Sequence, residues 1–224
     1  NFKDCQMDTT SVLRLETHTG VAHIWVDGQG QNRISIVPGA NFALTPQDAI
    51  DEVGKLKNVS VLIAQCEIPQ EVTLAAFRTA QDLGITTILN PAPYQPLTDD
   101  LLELTDWLIP NETEFRELHG SLPSNDQILK SFRPGKNSIV TLGSEGAVYI
   151  SPQGELHRVS APKVTAVDTT GAGDSFVGSF AFSLASGKDP VAAMSFGIKV
   201  ASLSVTRKGA QSSYPDQAEI ATLS

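Results

Sequence analysis

Hydrophobic positions along the chain fall into two regimes. Over residues 11–37 apolar and polar residues alternate. Val12, Leu13 and Leu15 precede Val21-Ala22-His23-Ile24-Trp25-Val26, and Ile34 and Ile36 follow an Asp27-Gly28-Gln29-Gly30 turn. Period-two alternation predicts a small antiparallel patch with one face left to cover something. From Thr45 onward short apolar runs take turns with helical segments. Thr45-Pro46-Gln47-Asp48 supplies an N-cap, a proline at N1 and an acidic first turn for a helix running toward Lys57. Residues 59–64 read as a buried strand, and 69–83 as a helix closed by Gly84. Strands follow at 85–89 and 106–109, then a short helix ending near Gly120, a helix over 125–132 and a strand over 138–142. Turns at Gly143-Ser144-Glu145-Gly146 and Pro152-Gln153-Gly154 bracket strands at 147–150 and 156–159. An extended apolar run at 164–167 leads into a glycine loop, then helices over 175–186 and 191–206, a polar loop and a last short helix. Strands alternating with helices imply an α/β fold with a parallel sheet covered on both faces, and ligands in such sheets gather at the strands' carboxyl ends.

Composition narrows this picture. The 224 residues, 41% hydrophobic and 18% charged, suffice for one globular domain, with room for an appendage. A net charge of −9 without a basic run argues against a polyanion-binding surface, so no nucleic-acid partner is expected. No apolar run is long enough to span a bilayer, no signal-like segment opens the chain, and no membrane partner is expected. Cys5 and Cys66 form no C-x-x-C pair; a reduced, cytoplasmic setting is the simplest reading, with one distant disulfide as the alternative. The four histidines show no ligand spacing.

The candidate chemistry centres on Val167-Asp168-Thr169-Thr170-Gly171-Ala172-Gly173-Asp174-Ser175-Phe176. A glycine-bearing turn into a helix leaves the first amides unpaired and outward, an anion site reinforced by the helix dipole. A carboxylate at that mouth, Asp174, fits proton handling, and the combination suggests phosphoryl transfer. The plain alternative is an ordinary connection with Asp174 in a favourable first-turn position. Asn111-Glu112-Thr113-Glu114 reads as a capping box, and the same pair could also serve a metal–phosphate group.

The string D-T-T-G-A-G-D-S-F resembles the C-terminal signature of the ribokinase (PfkB) family of sugar kinases. T-G-V-A, V-P-G-A-N, N-P-A-P, N-E-T-E, T-L-G-S-E-G and G-A-Q-S-S-Y-P stand in the family's order, over nearly the whole chain. The set is closer to ribokinases than to fructokinase-like or nucleoside kinases. The resemblance implies a ribokinase-like three-layer αβα domain with a mostly parallel central sheet and a small β lid. On this reading residues 1–40 are the remnant of the lid and 41–224 the nucleotide-binding and catalytic core. The family's first βα unit and the sugar-holding Asp and Gly-Gly-x-x-x-Asn residues have no counterpart here, which makes the pattern N-terminally incomplete.

The implied activity is ATP-dependent phosphorylation of D-ribose at its 5-hydroxyl. Asp174 would be the general base, and Gly171, Ala172 and Gly173 the anion hole. Glu67, in Gln65-Cys66-Glu67, would bond sugar hydroxyls together with Asp174. Asn111, Thr141, Leu142, Gly143, Ser144, Glu145, Gly146 and Gly173 would meet the nucleotide, and Ile198 would pack on the base where relatives often carry Asn or His. Glu114 would serve Mg²⁺ through water. Asp168, Thr170, Ser204, Arg207, Gly209 and Ser213 would form a K⁺ site, mostly through backbone oxygens. A homodimer through the β lid is implied. Two other functions stay open: another PfkB-type sugar or nucleoside kinase, and a non-catalytic nucleotide-binding or interaction protein.

Overall fold

In the computed structural model, which describes residues 2, 5–26 and 32–223, the two hydrophobic regimes become two β-structures. The first is a ribbon of β1 (Val21–Val26) and β2 (Asn32–Val37), antiparallel, with Val21 opposite Val37 and Trp25 opposite Arg33. Residues 11–20, expected to belong to this patch, form no strand. Val12 and Leu13 are adjacent in sequence and stand exposed, and no neighbouring strand among the described residues offers them a ladder. The turn expected at 27–30 lies outside the described residues.

The second structure is a six-stranded sheet in the order β3 (Val61–Ala64), β4 (Thr86–Leu89), β5 (Trp107–Leu108), β6 (Asn137–Thr141), β7 (Ala147–Ile150), β8 (Leu156–Val159). β3 to β6 run parallel and β7 and β8 return as an antiparallel meander. Short turns make the antiparallel return possible, whereas each parallel step needs a crossover. The helices are α1 (Pro46–Gly54), α2 (Gln70–Asp82), α3 (Asp99–Glu103), α4 (Glu112–His119), α5 (Asn125–Lys130), α6 (Ala172–Ala185), α7 (Pro190–Ser204) and α8 (Gln217–Ala221).

Alternation along the strands sorts the core into two layers. Ile88, Trp107, Ile139 and Tyr149 face Phe176 and Phe180 of α6 and Met194 and Ile198 of α7. Trp107 stacks on Tyr149 at 5.4 Å and takes the edge of Phe180 at 5.0 Å. Their neighbours in sequence turn the other way. Leu89 packs with Phe77 of α2 and Leu101 of α3, while Val140, Val148 and Ile150 pack with Phe115 of α4 and Ile128 of α5. α1 lies outside α2, joining it through Val53, Ala80 and Ile85. The result is the expected three-layer α/β fold with a mostly parallel central sheet.

Three local features differ from the reading of the sequence. α3 was not anticipated; its five residues are too few for a period, but the Thr98 hydroxyl caps it by accepting the Leu101 amide. Residues 164–167 are not a strand. Val164 and Val167 are exposed, and the Val167 amide donates to Val205 O at the end of α7, outside the sheet. α6 begins at Ala172, three residues before the expected start at Ser175, with Gly171 as its N-cap. A positive φ of 77° at Gly171 turns the chain directly into the helix, so Gly173 and Asp174 lie inside its first turn.

Candidate active site

The parallel strands deliver their carboxyl ends to one edge of the sheet. After β3 come buried Cys66 and exposed Glu67. After β4, Asn90 is buried and donates Nδ2–H to Ile109 O at 2.8 Å, and Ala92 O accepts the Cys66 amide at 2.9 Å. The N-P-A-P segment thereby ties the ends of β3 and β5 together. After β5, Asn111 caps α4.

The α4 cap is tightly knit. Asn111 N–H and Nδ2–H donate to the two Glu114 carboxylate oxygens at 2.8 and 2.7 Å, and the Glu114 amide donates to Asn111 Oδ1 at 2.9 Å. Glu114 is only 6% exposed; burial pushes its carboxyl up, and the bonds from Asn111 hold it partly back. Asn111 also bridges to Thr141 at the end of β6, whose amide donates to Pro110 O. Beyond Thr141, the buried Leu142 amide donates to Gly146 O, closing a tight turn over Gly143–Glu145. Gly146 has φ 99°, and a Cβ there would sit 2.0 Å from Val159 O of β8. No other residue type fits that contact.

The N-terminus of α6 faces this wall. The Ala172 amide donates to Thr169 O, while those of Gly173 and Asp174 find no acceptor among the described residues. Asp174 occupies N3. It is solvent-accessible as a residue, yet partial burial pushes its carboxyl above the usual aspartate range. The loop before it is ordered by Asp168, whose Oδ1 accepts the Thr170 amide at 3.0 Å and hydroxyl at 2.7 Å, and whose Oδ2 accepts the Gly209 amide at 2.9 Å. These bonds, the Gly209 amide foremost, hold its pKa at about 2.

Between the two walls lies a cavity of about 670 Å³. It is lined by Asn111, Thr141, Gly143, Ser144, Gly146, Ala172, Gly173 and Ile198 from the expected set. Glu112, Thr113, residues 161–164, Ala166, Thr169, Phe176, Ala201, Ser202 and Val205 complete the lining. Glu112 and Lys163 are its charged members, and neither was anticipated; Lys163 immediately precedes the misread 164–167 run.

The remaining expected residues, Asp174 among them, are not part of this lining. Leu142 is buried behind it, Glu145 is exposed on the turn, and Glu114 is buried beneath the Asn111 cap. Gly171 and Asp174 flank the α6 entrance, and Glu67 stands farther along the same sheet edge, outside the lining. Of the expected cation residues, Asp168, Thr170 and Gly209 are bonded together. Ser204 Oγ lies 3.3 Å from Ser175 Oγ, and Ser213 Oγ–H donates to Ala210 O. The Arg207 guanidinium is turned away, paired with both Glu219 oxygens at α8. Tyr214, which stands in the G-A-Q-S-S-Y-P string but was assigned no role, donates its hydroxyl to Gly171 O at 3.3 Å. Cys5 and Cys66 are free thiols. Among the described residues no group of three or more His, Cys, Asp or Glu could hold a metal ion, and no helix is long and apolar enough to cross a membrane.

An open, mostly parallel sheet with a groove at its carboxyl edge, beside a helix N-terminus that no side chain caps, defines an α/β protein of the class that gathers ligands at that edge. A model described as pfkB family carbohydrate kinase matches residues 1–217. The ribokinase of Staphylococcus aureus (strain COL) is 39% identical over 223 residues, covering 96% of this chain and 73% of that protein. The deoxyribokinase of Salmonella typhimurium is 38% identical over 223 residues, covering 96% and 72%. A structure of Arabidopsis thaliana ribokinase complexed with ribose and ATP superposes with a TM-score of 0.83 at 31% identity, covering 93% of this chain and 70% of that one. The chain belongs to the pfkB family of carbohydrate kinases, as a phosphotransferase of the ribokinase type.

Proposed function

We propose that the chain transfers the γ-phosphoryl group of ATP to the 5-hydroxyl of D-ribose, forming ribose 5-phosphate and ADP. The carrying observation is the cavity. It joins the Asn111 cap, the Thr141–Gly146 turn and the Gly173 amide, far apart in sequence, into one groove at the α6 N-terminus. The ribose and ATP bound to the Arabidopsis relative support both substrates.

In this reading the triphosphate runs along Asn111, Thr141, Gly143 and Ser144 toward α6, with the base against Ile198. The transferring group meets the Gly173 and Asp174 amides, with Gly171 and Ala172 shaping the turn. These donors are fixed before the reaction, so they stabilise the charge that spreads over the phosphoryl oxygens without reorganising. Asp174 accepts the proton of the sugar hydroxyl as the new O–P bond forms and the bond to ADP breaks. Its raised pKa suits that task. Glu67 holds sugar hydroxyls at the far end.

Magnesium, when bound, neutralises phosphate charge. Glu114 fits it through water only, since both carboxylate oxygens already accept from Asn111, while Glu112 reaches the cavity directly. Potassium would be held by backbone oxygens of Asp168, Thr170, Ser204, Arg207, Gly209 and Ser213; the Arg207 side chain is itself committed to Glu219. The ribbon, with Val21, Trp25, Ile36 and Val37 exposed, is the lid and the homodimer contact.

One observation favours a second sugar: the deoxyribokinase relative is as close as the ribokinase within one per cent identity, so 2-deoxy-D-ribose belongs in any substrate panel. The test is calorimetric titration with Mg–ATP, in potassium and then in sodium. Saturable binding, tighter in potassium, is expected. A chain that circular dichroism finds folded but that binds no nucleotide would overturn the reading.

A further inference from the structure

The segment from the end of α7 to α8 runs across the back of the 167–171 loop and is tied to it at three points. Val205 O accepts the amides of Val167 and Asp168 at 2.7 and 3.2 Å. The Gly209 amide donates to Asp168 Oδ2 at 2.9 Å. Both ties act at the start of the loop. Only the third reaches the helix itself: Tyr214 Oη–H donates to the carbonyl of Gly171, the N-cap of α6, at 3.3 Å.

Sterics say the same. A Cβ built on Gly171 would lie 2.7 Å from Tyr214 Oη and 3.3 Å from its Cε1, so the phenol ring presses on the outer side of the left-handed turn. The Gly171 carbonyl also accepts the Ser175 amide at 2.9 Å, the first bond of the helix. The peptide between Gly171 and Ala172 is therefore clamped from helix and strap together, immediately before the unpaired amides of Gly173 and Asp174. Tyr214 is partly buried, and the charge of Asp174, after burial, raises its phenol pKa, which sets the two side chains within electrostatic reach.

We propose that Tyr214 is a positioning residue whose hydroxyl fixes the Gly171 peptide and so aims the α6 amides at the transferring phosphoryl group. It touches no substrate and acts through the loop. This rests on the proposed phosphoryl transfer at α6. A group that aims donors at a transition state, and not at bound nucleotide, changes kcat and leaves KM alone.

The test compares Tyr214→Phe, which keeps the ring against Gly171, with the unaltered chain. Three quantities are read: affinity for ADP, affinity for ADP with aluminium fluoride and D-ribose as a mimic of the transferring group, and kcat and KM for Mg–ATP. Loss of one neutral hydrogen bond should weaken the aluminium fluoride complex and lower kcat by about 3- to 10-fold, with ADP affinity and KM unchanged within about 2-fold. Unchanged affinity for the mimic, or an equal loss for ADP alone, would overturn the proposal. If the unaltered chain binds neither ligand, the proposed function fails and takes this inference with it. If it binds both and only the tyrosine prediction fails, the kinase reading stands. Tyr214→Ala, which also removes the ring, should lose thermal stability as well; Tyr214→Phe should not, which separates positioning from packing.

Discussion

Two aspartates six residues apart face opposite environments, which shift their carboxyl groups in opposite directions. Asp168 accepts bonds from the Thr170 amide and hydroxyl and from the Gly209 amide, so its charged form is stabilised and its pKa falls to about 2. Asp174 has no such donors, and burial alone raises it. The first is a structural tie and the second suits proton transfer. The sign of linkage makes the difference measurable. A depressed pKa contributes stability that is fully present above the unfolded value of about 4 and is lost as pH falls toward the folded value. The gap in melting temperature between the unaltered chain and Asp168→Ala should therefore be constant from about pH 8 to 5 and close between about pH 4 and 2. A gap that closes near neutrality would mean another group holds the loop. For Asp174 the sign is reversed: the acid limb of the pH–rate profile should inflect above the ordinary aspartate value of about 3.9.

At the scale of elements, the site depends on two turns that tolerate little. The Thr141–Gly146 turn closes against β8 so tightly that Gly146→Ala would put a methyl 2.0 Å from a backbone oxygen, at a φ of 99°. Denaturant unfolding should report a loss of at least about 1–3 kcal/mol, the strain of such a conformation for an ordinary residue. Asn111→Ala removes a cap worth about 0.5–2 kcal/mol and strips the buried Glu114 of its donors, so the true loss should lie at the upper end. Both turns were legible in the sequence because caps and glycines act locally: N-x-x-E and Gly-x-x-Gly announce themselves within four residues. The alternation of strands and helices was legible for the same reason. What escaped was set by distant partners. Residues 164–167 look like a strand, but their backbone meets α7 and two of their apolar side chains line the groove. Tyr214 sits in a recognisable string, yet nothing local says that its hydroxyl meets a carbonyl 43 residues away. Ser175 and Ser204 likewise meet across α6 and α7 only after folding.

For the whole molecule, the six-stranded sheet supplies a rigid edge and the two-stranded ribbon stands apart from it. Such a ribbon is marginal alone, and its apolar positions, Trp25 at 59% and Ile36 at 52% exposure, call for a covering surface. If that surface is a second copy, sedimentation equilibrium should give a dimer that Trp25→Asp converts to monomer, and a monomeric unaltered chain would count against the dimer. The larger proposal is that this edge transfers a phosphoryl group with Asp174 taking the proton. The most direct measurement is D-ribose-dependent release of ADP from Mg–ATP by the unaltered chain and by Asp174→Asn, alongside nucleotide affinity for both. Sugar-dependent turnover is expected, and the variant should lose it by roughly 10²–10⁴-fold while it still binds nucleotide. A variant that keeps most of its turnover, or ADP release indifferent to the sugar, would contradict it.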